Sequence, residues 1–179
     1  MLARAKNPIR IGVIVQSVET MFMHTVFEEI ERASAHFTTT GAEVLVRPLE
    51  GVDAQQQLDV IDELLEAGVQ GIALSPAEDE RVRARIQELS ERMPVVTFNS
   101  DLPDSRRLCF VGQDIYKAGR VAGGLMSRCV PAGSQLLATV GNLKFDGHRQ
   151  RLAGFRDRIR EAGFPMEDLV VAETFNDYE

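Results

Sequence analysis

Polar side chains able to hold a small molecule follow the apolar runs of this 179-residue sequence, at the points where strands are expected to end. They are amides, hydroxyls, single charges and an occasional ring, and they include Gln16, Thr20, Phe22, Ser75, Asn99, Ser100, Asp101, Arg151 and Tyr178. Such a mixture suits a polyhydroxylated ligand, since each ligand hydroxyl needs a fixed donor or acceptor and the C–H faces need apolar contact. Taken singly, each residue is equally consistent with capping a loop.

The same loops lack the motifs of nucleotide binding and of nucleophilic catalysis. The first strand is followed by SVETMF rather than by GxGxxG, and neither GxxxxGK[ST] nor GxSxG occurs in the chain. His148 opens a predicted helix beside a polar loop, where a contact or a cap is favoured over general-base duty. Asp101 is interpreted as an acceptor for ligand hydroxyls or as a hinge residue. We therefore expect a binding protein that is not an enzyme and uses no cofactor.

Charge and cysteine content argue against several other classes of protein. Twenty Lys and Arg stand against 27 Asp and Glu, which gives a net charge of -7, and the basic residues are scattered along the predicted helices. Such scattering does not form the basic stripe that binds a nucleic-acid backbone. Cys109 and Cys129 lie far from any CxxC spacing or His pair, so neither a metal site nor a disulfide framework is predicted.

Short apolar runs alternate with amphipathic segments along the chain. The run 9–16 is nearly unbroken and rich in β-branched residues, which is typical of a strand buried on both faces in a parallel sheet. Further strands are predicted at 42–46, 71–74, 95–98, 107–111, 135–140 and 169–172, and helices at 22–37, 53–67, 79–91, 115–128 and 148–162. Gly41, Gly68 and Gly163 each follow a helix, where a left-handed cap is expected. The pattern predicts an α/β fold with doubly wound parallel sheets.

The alternation of strands and helices is interrupted once. The strand at 107–111 follows the strand at 95–98 after the turn Pro103-Asp104-Ser105, with no helix between the two. This interruption predicts two lobes joined near residues 112–114. The expected organisation is a linker remnant at 1–8, an N-terminal lobe at 9–113 and an incomplete C-terminal lobe at 114–179.

Four segments of the chain resemble one known family in their order and spacing. They are IGVIVQSVETMFMHTVFEEIERA, GIALSP, PVVTFNSDLPDSRRLCFVGQDIYKAGRVAGGLM and GHRQRLAGFRDRIREAGF. Together they resemble the sensor domain of lactose/galactose-repressor-type transcription regulators and the related type I periplasmic sugar-binding proteins. The resemblance implies two Rossmann-like lobes with the ligand in a cleft between them.

The resemblance also assigns roles to individual residues. Gln16, Thr20 and Phe22 match the first-strand loop that lines the cleft, and Ser75 matches a polar position after the third strand. Asn99, with Ser100 or Asp101, matches the polar sugar contacts after the fourth strand. Arg151 matches an arginine that grips sugar hydroxyls, and Tyr178 matches an aromatic position that stacks on the ligand.

The chain departs from the family pattern in two places. Glu19-Thr20-Met21-Phe22 stands where many relatives have an Asn-Pro-Phe-type turn, which leaves the identity of the sugar open. The family continues for further strands and helices, about 90 residues at the usual length of a βα unit, so we expect the C-terminal part of the fold to be missing. At the other end, residues 2–6 resemble the stretch that joins a repressor's hinge helix to its sensor.

The resemblance implies the effector-binding domain of a transcription regulator. In such a domain, sugar binding closes the lobes and alters a homodimer that contacts DNA only through an N-terminal headpiece, which is missing from this sequence. The alternative is the periplasmic sugar receptor of an ABC importer, and an enzyme on the same fold is a third class. Because no apolar run has the length of a signal peptide or a membrane span, we expect a cytoplasmic protein without membrane contact.

Overall fold

The chain folds into two compact units, Met1–Gly112 (unit 1) and Gln113–Glu179 (unit 2). The computed structural model describes residues 8–131, 133–143 and 145–174. Within those residues, no helix has both the length and the apolar character needed to cross a bilayer.

Unit 1 is a five-stranded parallel sheet with helices on both faces. Its strands are β1 (Ile9–Val15), β2 (Ala42–Pro48), β3 (Gly71–Leu74), β4 (Val95–Phe98) and β5 (Cys109–Val111). Its helices are α1 (Met21–Phe37), α2 (Ala54–Glu66) and α3 (Glu80–Ser90), with a short 3-10 turn at Thr38–Thr40. The strand order is β2-β1-β3-β4-β5, which confirms the predicted doubly wound parallel sheet.

Alternation along β1 divides the core of unit 1 between the two faces of the sheet. Val13 and Val15 pack in one cluster with Met23 of α1. Ile14 points to the opposite cluster, which it shares with Ile61 of α2 and other fully buried aliphatic side chains of α2 and α3. Burying each such side chain contributes about 1.5 to 3 kcal/mol to the free energy of folding. The helices on both faces therefore stabilise the sheet.

The connection from β4 to β5 contains no helix, as the sequence predicts. Residues 99–108 form this loop, and Leu102 inserts into the core cluster of α2 and α3 with 2% of its surface exposed. Gln87 of α3 donates to the Asp104 carbonyl at 2.8 Å. The loop therefore takes the place of a crossover helix on that face, because parallel neighbours need a connection that returns along the sheet.

The described residues of unit 2 form a parallel strand pair and two helices. The strands are β6 (Leu136–Val140) and β7 (Leu169–Glu173), and the helices are α4 (Ile115–Cys129) and α5 (Asp146–Glu161), with a 3-10 turn at Met166–Asp168. Helix α5 begins two residues before the predicted start at 148, because Phe145 already has the extended N-cap conformation and Asp146 occupies the first turn. A carboxylate there is favoured by the helix dipole. The expected left-handed caps are confirmed at Gly41, Gly68 and Gly163.

Helices α4 and α5 approach each other closely enough for their backbones to touch. A Cβ on Gly119 would lie 1.9 Å from the Arg151 carbonyl oxygen, and a Cβ on Gly154 would lie 2.0 Å from the Tyr116 carbonyl oxygen. Real Cβ atoms do not come this close to a backbone oxygen. Arg120, beside Gly119 on α4, donates two hydrogen bonds of 2.8 Å to the carboxylate of Glu161, the last residue of α5.

We predict that Gly119→Ala separates these two helices and destabilises the protein. Because the clash is with backbone rather than with a flexible side chain, the expected cost is about 3 kcal/mol or more, measured by urea unfolding of the full chain. Gly124→Ala is the matched control on the same helix, since the nearest atom to its added Cβ is Arg158 Nε at 3.5 Å. That variant is expected to gain up to about 1 kcal/mol from helix propensity. Equal effects of the two substitutions would contradict this packing.

Candidate functional site

The order of the strands places one crevice at the carboxyl edge of the unit 1 sheet. Helix α1 packs on one face and α2 and α3 on the other, so the connections leaving β1 and β3 go to opposite sides. In open parallel sheets, ligands bind outside the carboxyl ends of the strands at such a switch point. Gln16 follows β1 and Ser75 follows β3, so the two stand on either side of the crevice.

Gln16 ties the loops after β1 and β3 together. Only 7% of its surface is exposed, and its Nε2 donates to the Pro76 carbonyl at 3.1 Å. The Ser75 hydroxyl lies 3.5 Å from the same nitrogen and exposes none of its surface. Both residues are therefore held inside the edge of the sheet.

Gln57 of α2 also holds the loop after β3, and it is not among the residues predicted from the sequence. Its Nε2 donates to the Ser75 carbonyl at 3.0 Å, and its Oε1 accepts from the backbone N–H of Ala77 at 2.9 Å. With 1% of its surface exposed, Gln57 takes the place of a backbone partner for both groups. Its sequence signal is weak, since it is the last of three consecutive glutamines and helical phase alone distinguishes it.

The loop from β1 to α1 is fixed by its own polar groups. The Thr20 hydroxyl donates to the Ser17 carbonyl at 2.9 Å and accepts from the Met23 N–H at 3.4 Å, so it caps α1. Ser17 has a φ of 55°, a left-handed conformation that is costly for a residue with a Cβ. The Glu19 carboxylate accepts from the Gly51 N–H at 2.9 Å, which joins this loop to the one after β2.

Two large apolar side chains stand exposed at the start of α1. Phe22 exposes 64% of its surface and Met21 exposes 82%. They open α1, after the five-residue loop that leaves the carboxyl end of β1. A flat apolar ring beside amides and hydroxyls is the combination that sugar rings require, because sugars present both hydroxyls and C–H faces.

The chain turns sharply after β4. Asn99 is exposed and has a φ of 61°, and the Ser100 N–H donates back to the Phe98 carbonyl at 2.7 Å. Asp101, by contrast, is partly buried and accepts hydrogen bonds from Thr97 and Arg107. Asn99 and Ser100 are thus presented at the edge of the sheet, while the Asp101 carboxylate is engaged within the chain.

Unit 2 carries Arg151 on α5, close to a histidine with a fixed ring. Arg151 is exposed, and its Nη2 lies 3.5 Å from the Gln113 side-chain oxygen, at the limit of a hydrogen bond. His148 Nδ1 accepts from the Asn142 N–H at 2.9 Å, and its ring lies 5.9 Å from that of Phe145. Burial of the ring, with the positive charge of Arg151, lowers the pKa of His148 below its ordinary value. His148 therefore fixes the loop after β6, as the favoured cap reading predicts.

The predicted ligand residues of unit 1 all lie at one edge of one sheet, after β1, β3 and β4. Arg151 belongs to unit 2, and Tyr178 lies outside the described residues. Within the part of the chain that the structure describes, no group of three or more His, Cys, Asp and Glu side chains is arranged to hold a metal ion.

A family model described as a periplasmic binding protein domain matches residues 11–179. The chain therefore belongs to the periplasmic binding protein domain family. This match confirms the periplasmic-binding-protein part of the resemblance, whereas the narrower assignment to repressor sensors stays a prediction.

Individual relatives are more distant. The D-ribose/D-allose-binding protein of Pseudomonas aeruginosa is 22% identical over 124 residues, which cover 65% of this chain and 39% of that protein. The structure of GanP, a glucose-galactose binding protein from Geobacillus stearothermophilus, matches with a TM-score of 0.76 and 20% identity, over 96% of this chain and 60% of that one. The structure of a ribose operon repressor protein from Lactobacillus acidophilus matches with a TM-score of 0.72 and 17% identity, over 97% of this chain and 60% of that one. At these identities the structural likeness is one of fold.

We predict that Gln57→Leu destabilises unit 1. The change leaves the Ser75 carbonyl and the Ala77 N–H buried without their partner, and the expected cost is about 2 to 4 kcal/mol in urea unfolding. Gln56→Leu is the control, because Gln56 is exposed on the same helix and its replacement is expected to change stability by less than about 0.5 kcal/mol. A loss in the control as large as in Gln57→Leu would refute the bridging role.

Stability is also predicted to fall in mild acid through His148. Because the folded pKa of His148 is lowered, its contribution is complete above the ordinary value of 6.5 and is lost as the pH falls below that value toward the folded pKa. Protonating Nδ1 would also remove the acceptor for the Asn142 N–H. Urea midpoints measured from about pH 7 to about pH 5 are expected to decline less in His148→Gln than in wild type. His36→Gln, on the surface of α1, is the control, and identical pH slopes in wild type and His148→Gln would contradict the prediction.

Proposed function

We propose that this chain binds a monosaccharide reversibly and without chemical change. The observation that carries the proposal is the carboxyl edge of the unit 1 sheet, where exposed Phe22 follows β1 and exposed Asn99 follows β4. A sugar needs hydrogen-bonding groups that are already fixed, and the loops at this edge are held by amide and carboxylate hydrogen bonds within the chain.

Two carboxylates at this edge and one histidine of unit 2 accept hydrogen bonds from the chain itself, and in this way they hold the loops in place. Glu19 accepts from Gly51, and Asp101 accepts from Thr97 and Arg107. His148 in unit 2 accepts a backbone hydrogen bond. We therefore propose a binding protein rather than a glycosidase, a class that uses a pair of free carboxyl groups. Recovery of chemically altered sugar after incubation with the protein would contradict this proposal.

The role that we propose for sugar binding is sensing within a transcription regulator. It is supported by the fold shared with the ribose operon repressor protein of Lactobacillus acidophilus. Receptors of sugar importers share the fold as well, and GanP is a glucose-galactose binding protein. The complete coding sequence separates the two roles: a helix-turn-helix preceding residue 8 supports the regulator, and a cleaved signal peptide supports the receptor.

Binding is tested by calorimetry against D-ribose, D-allose, D-glucose and D-galactose, the sugars in the names of the relatives. We expect at least one of these four to bind saturably with a single site. The absence of heat and of any shift in melting temperature with all four, at millimolar concentrations, would overturn monosaccharide binding as the function.

Arg151→Ala is predicted to remove the sugar-dependent rise in melting temperature. Arg151 is exposed, and its Nη2 makes a marginal contact of 3.5 Å with the Gln113 side-chain oxygen. A guanidinium can donate to two ligand hydroxyls at once. Losing a charged donor to a bound sugar costs about 2 to 4 kcal/mol, which abolishes the shift. Arg156→Ala, an exposed arginine of the same helix, is expected to retain the shift. An undiminished shift in Arg151→Ala would remove this residue from the site.

A further inference from the structure

Asp101 makes its hydrogen bonds to residues on both sides of it in the chain. The Thr97 hydroxyl donates to Oδ1 at 2.7 Å, and Arg107 Nη2 donates to Oδ2 at 2.6 Å. Arg107 Nε also lies 2.6 Å from Oδ1. Thr97 belongs to β4, and Arg107 lies two residues before β5. The carboxylate therefore ties the end of one strand to the approach of the next.

This ion pair lies deeper in the fold than its neighbour. The side chains of Asp101 and Arg107 expose 19% and 23% of their surface, and Thr97 exposes none. The adjacent pair Arg106–Glu91 spans 3.2 Å with 69% and 65% exposed. Partial burial reduces screening by solvent, and the hydrogen bond from Arg107 Nη2 to Asp101 Oδ2 joins two charged groups, which makes it stronger than a neutral one.

The loop from β4 to β5 has left-handed backbone at three positions. Asn99 has a φ of 61°, and Asp104 and Arg106 further along the loop also have left-handed conformations. Such backbone persists only where the surroundings hold it. The far half of the loop is held by Leu102 in the core and by Arg83 and Gln87 of α3, which donate to the Pro103 and Asp104 carbonyls. In the near half, the Asn99 N–H donates to the Val111 carbonyl at 3.1 Å and the Ser100 N–H to the Phe98 carbonyl at 2.7 Å. The Thr97–Asp101–Arg107 contacts add a side-chain tie across the two ends of this half.

We propose that Asp101 and Arg107 are positioning residues, which hold Asn99 and Ser100 at the carboxyl edge of the sheet in the conformation that meets the ligand. Asp101 acts through this turn and not by accepting from the ligand. The part of the proposal that concerns ligand rests on the proposed sugar binding; the part that concerns the turn does not.

The turn is tested first without ligand, by amide hydrogen exchange of the full chain. In Asp101→Asn and in Arg107→Gln, the amides of Asn99 and Ser100 are expected to exchange about tenfold faster than in wild type, while those of α2 are unchanged. The double variant should exchange no faster than either single variant, because one contact has been removed in all three. Unchanged exchange at Asn99 and Ser100 in both single variants would overturn the proposal.

Two further variants show whether faster exchange comes from loss of this contact or from a general loss of structure. Arg106→Gln removes the exposed neighbouring pair and is expected to leave exchange at Asn99 and Ser100 as in wild type. Thr97→Val keeps the volume of a buried strand residue and removes one donor to Asp101, so a smaller rise in exchange at the same two amides is expected. A rise in Arg106→Gln as large as in Arg107→Gln would also count against the proposal.

The ligand part is tested with whichever of the four sugars binds wild type. If the two residues position the turn, Asp101→Asn and Arg107→Gln lower the affinity for that sugar by similar factors, and neither lowers it further in an Asn99→Ala background. If Asp101 contacts the sugar directly, Asp101→Asn lowers the affinity for the sugar and Arg107→Gln does not. This result would overturn the proposal. If wild type binds none of the four, the proposed function fails, while the exchange experiment still decides whether the pair holds the turn.

Discussion

All five strands of unit 1 run in the same direction, and the properties of the candidate site depend on that constraint. Parallel pairing brings the loops that carry Gln16, Ser75 and Asn99 to one edge of the sheet. The connections after β1 and β3 leave on opposite faces of the sheet, which is the arrangement at which open parallel sheets bind their ligands. Residues far apart in sequence become neighbours at this edge through backbone pairing alone.

The loops at this edge are held by hydrogen bonds from side chains within the chain. Gln57 bridges two backbone groups after β3, Glu19 accepts from Gly51, and Asp101 joins the flanks of the β4–β5 loop. A loop fixed in this way loses little entropy when a ligand binds, and its exposed members keep their orientation in the free protein. Gln57 and Asp101 are buried or partly buried and hold the loops, whereas Phe22 and Asn99 are exposed.

Most of the fold could be predicted from local patterns in the sequence. The β-branched run at 9–16 and the amphipathic period of 22–37 depend on burial of near neighbours, and both elements form where they were expected. The helix-free connection to β5 was predictable from Pro103-Asp104-Ser105, a turn with no apolar period around it. The start of α5 was placed two residues late, because its N-cap Phe145 makes no side-chain hydrogen bond to mark the boundary.

The candidate site was predictable in its position and less so in the role of each residue. The strand-end rule selects the loops that contain Gln16 and Asn99, but it does not separate a side chain that faces ligand from one that supports the loop. Asp101 resembles a ligand acceptor in the sequence because its partner Arg107 lies six residues away, beyond a turn of irregular backbone. Gln57 is separated from its partners by 18 and 20 residues, so only the folded chain identifies it.

The most direct test of sugar binding at this edge is a titration of the isotopically labelled chain with the four sugars, followed by amide chemical shifts. Binding at the carboxyl edge predicts saturable shifts at Ser17, Phe22, Asn99 and Ser100, with no change at the opposite edge, at Arg10 and Gly71. Saturable shifts confined to residues away from the carboxyl edge, or no shifts with any of the four, would contradict the account.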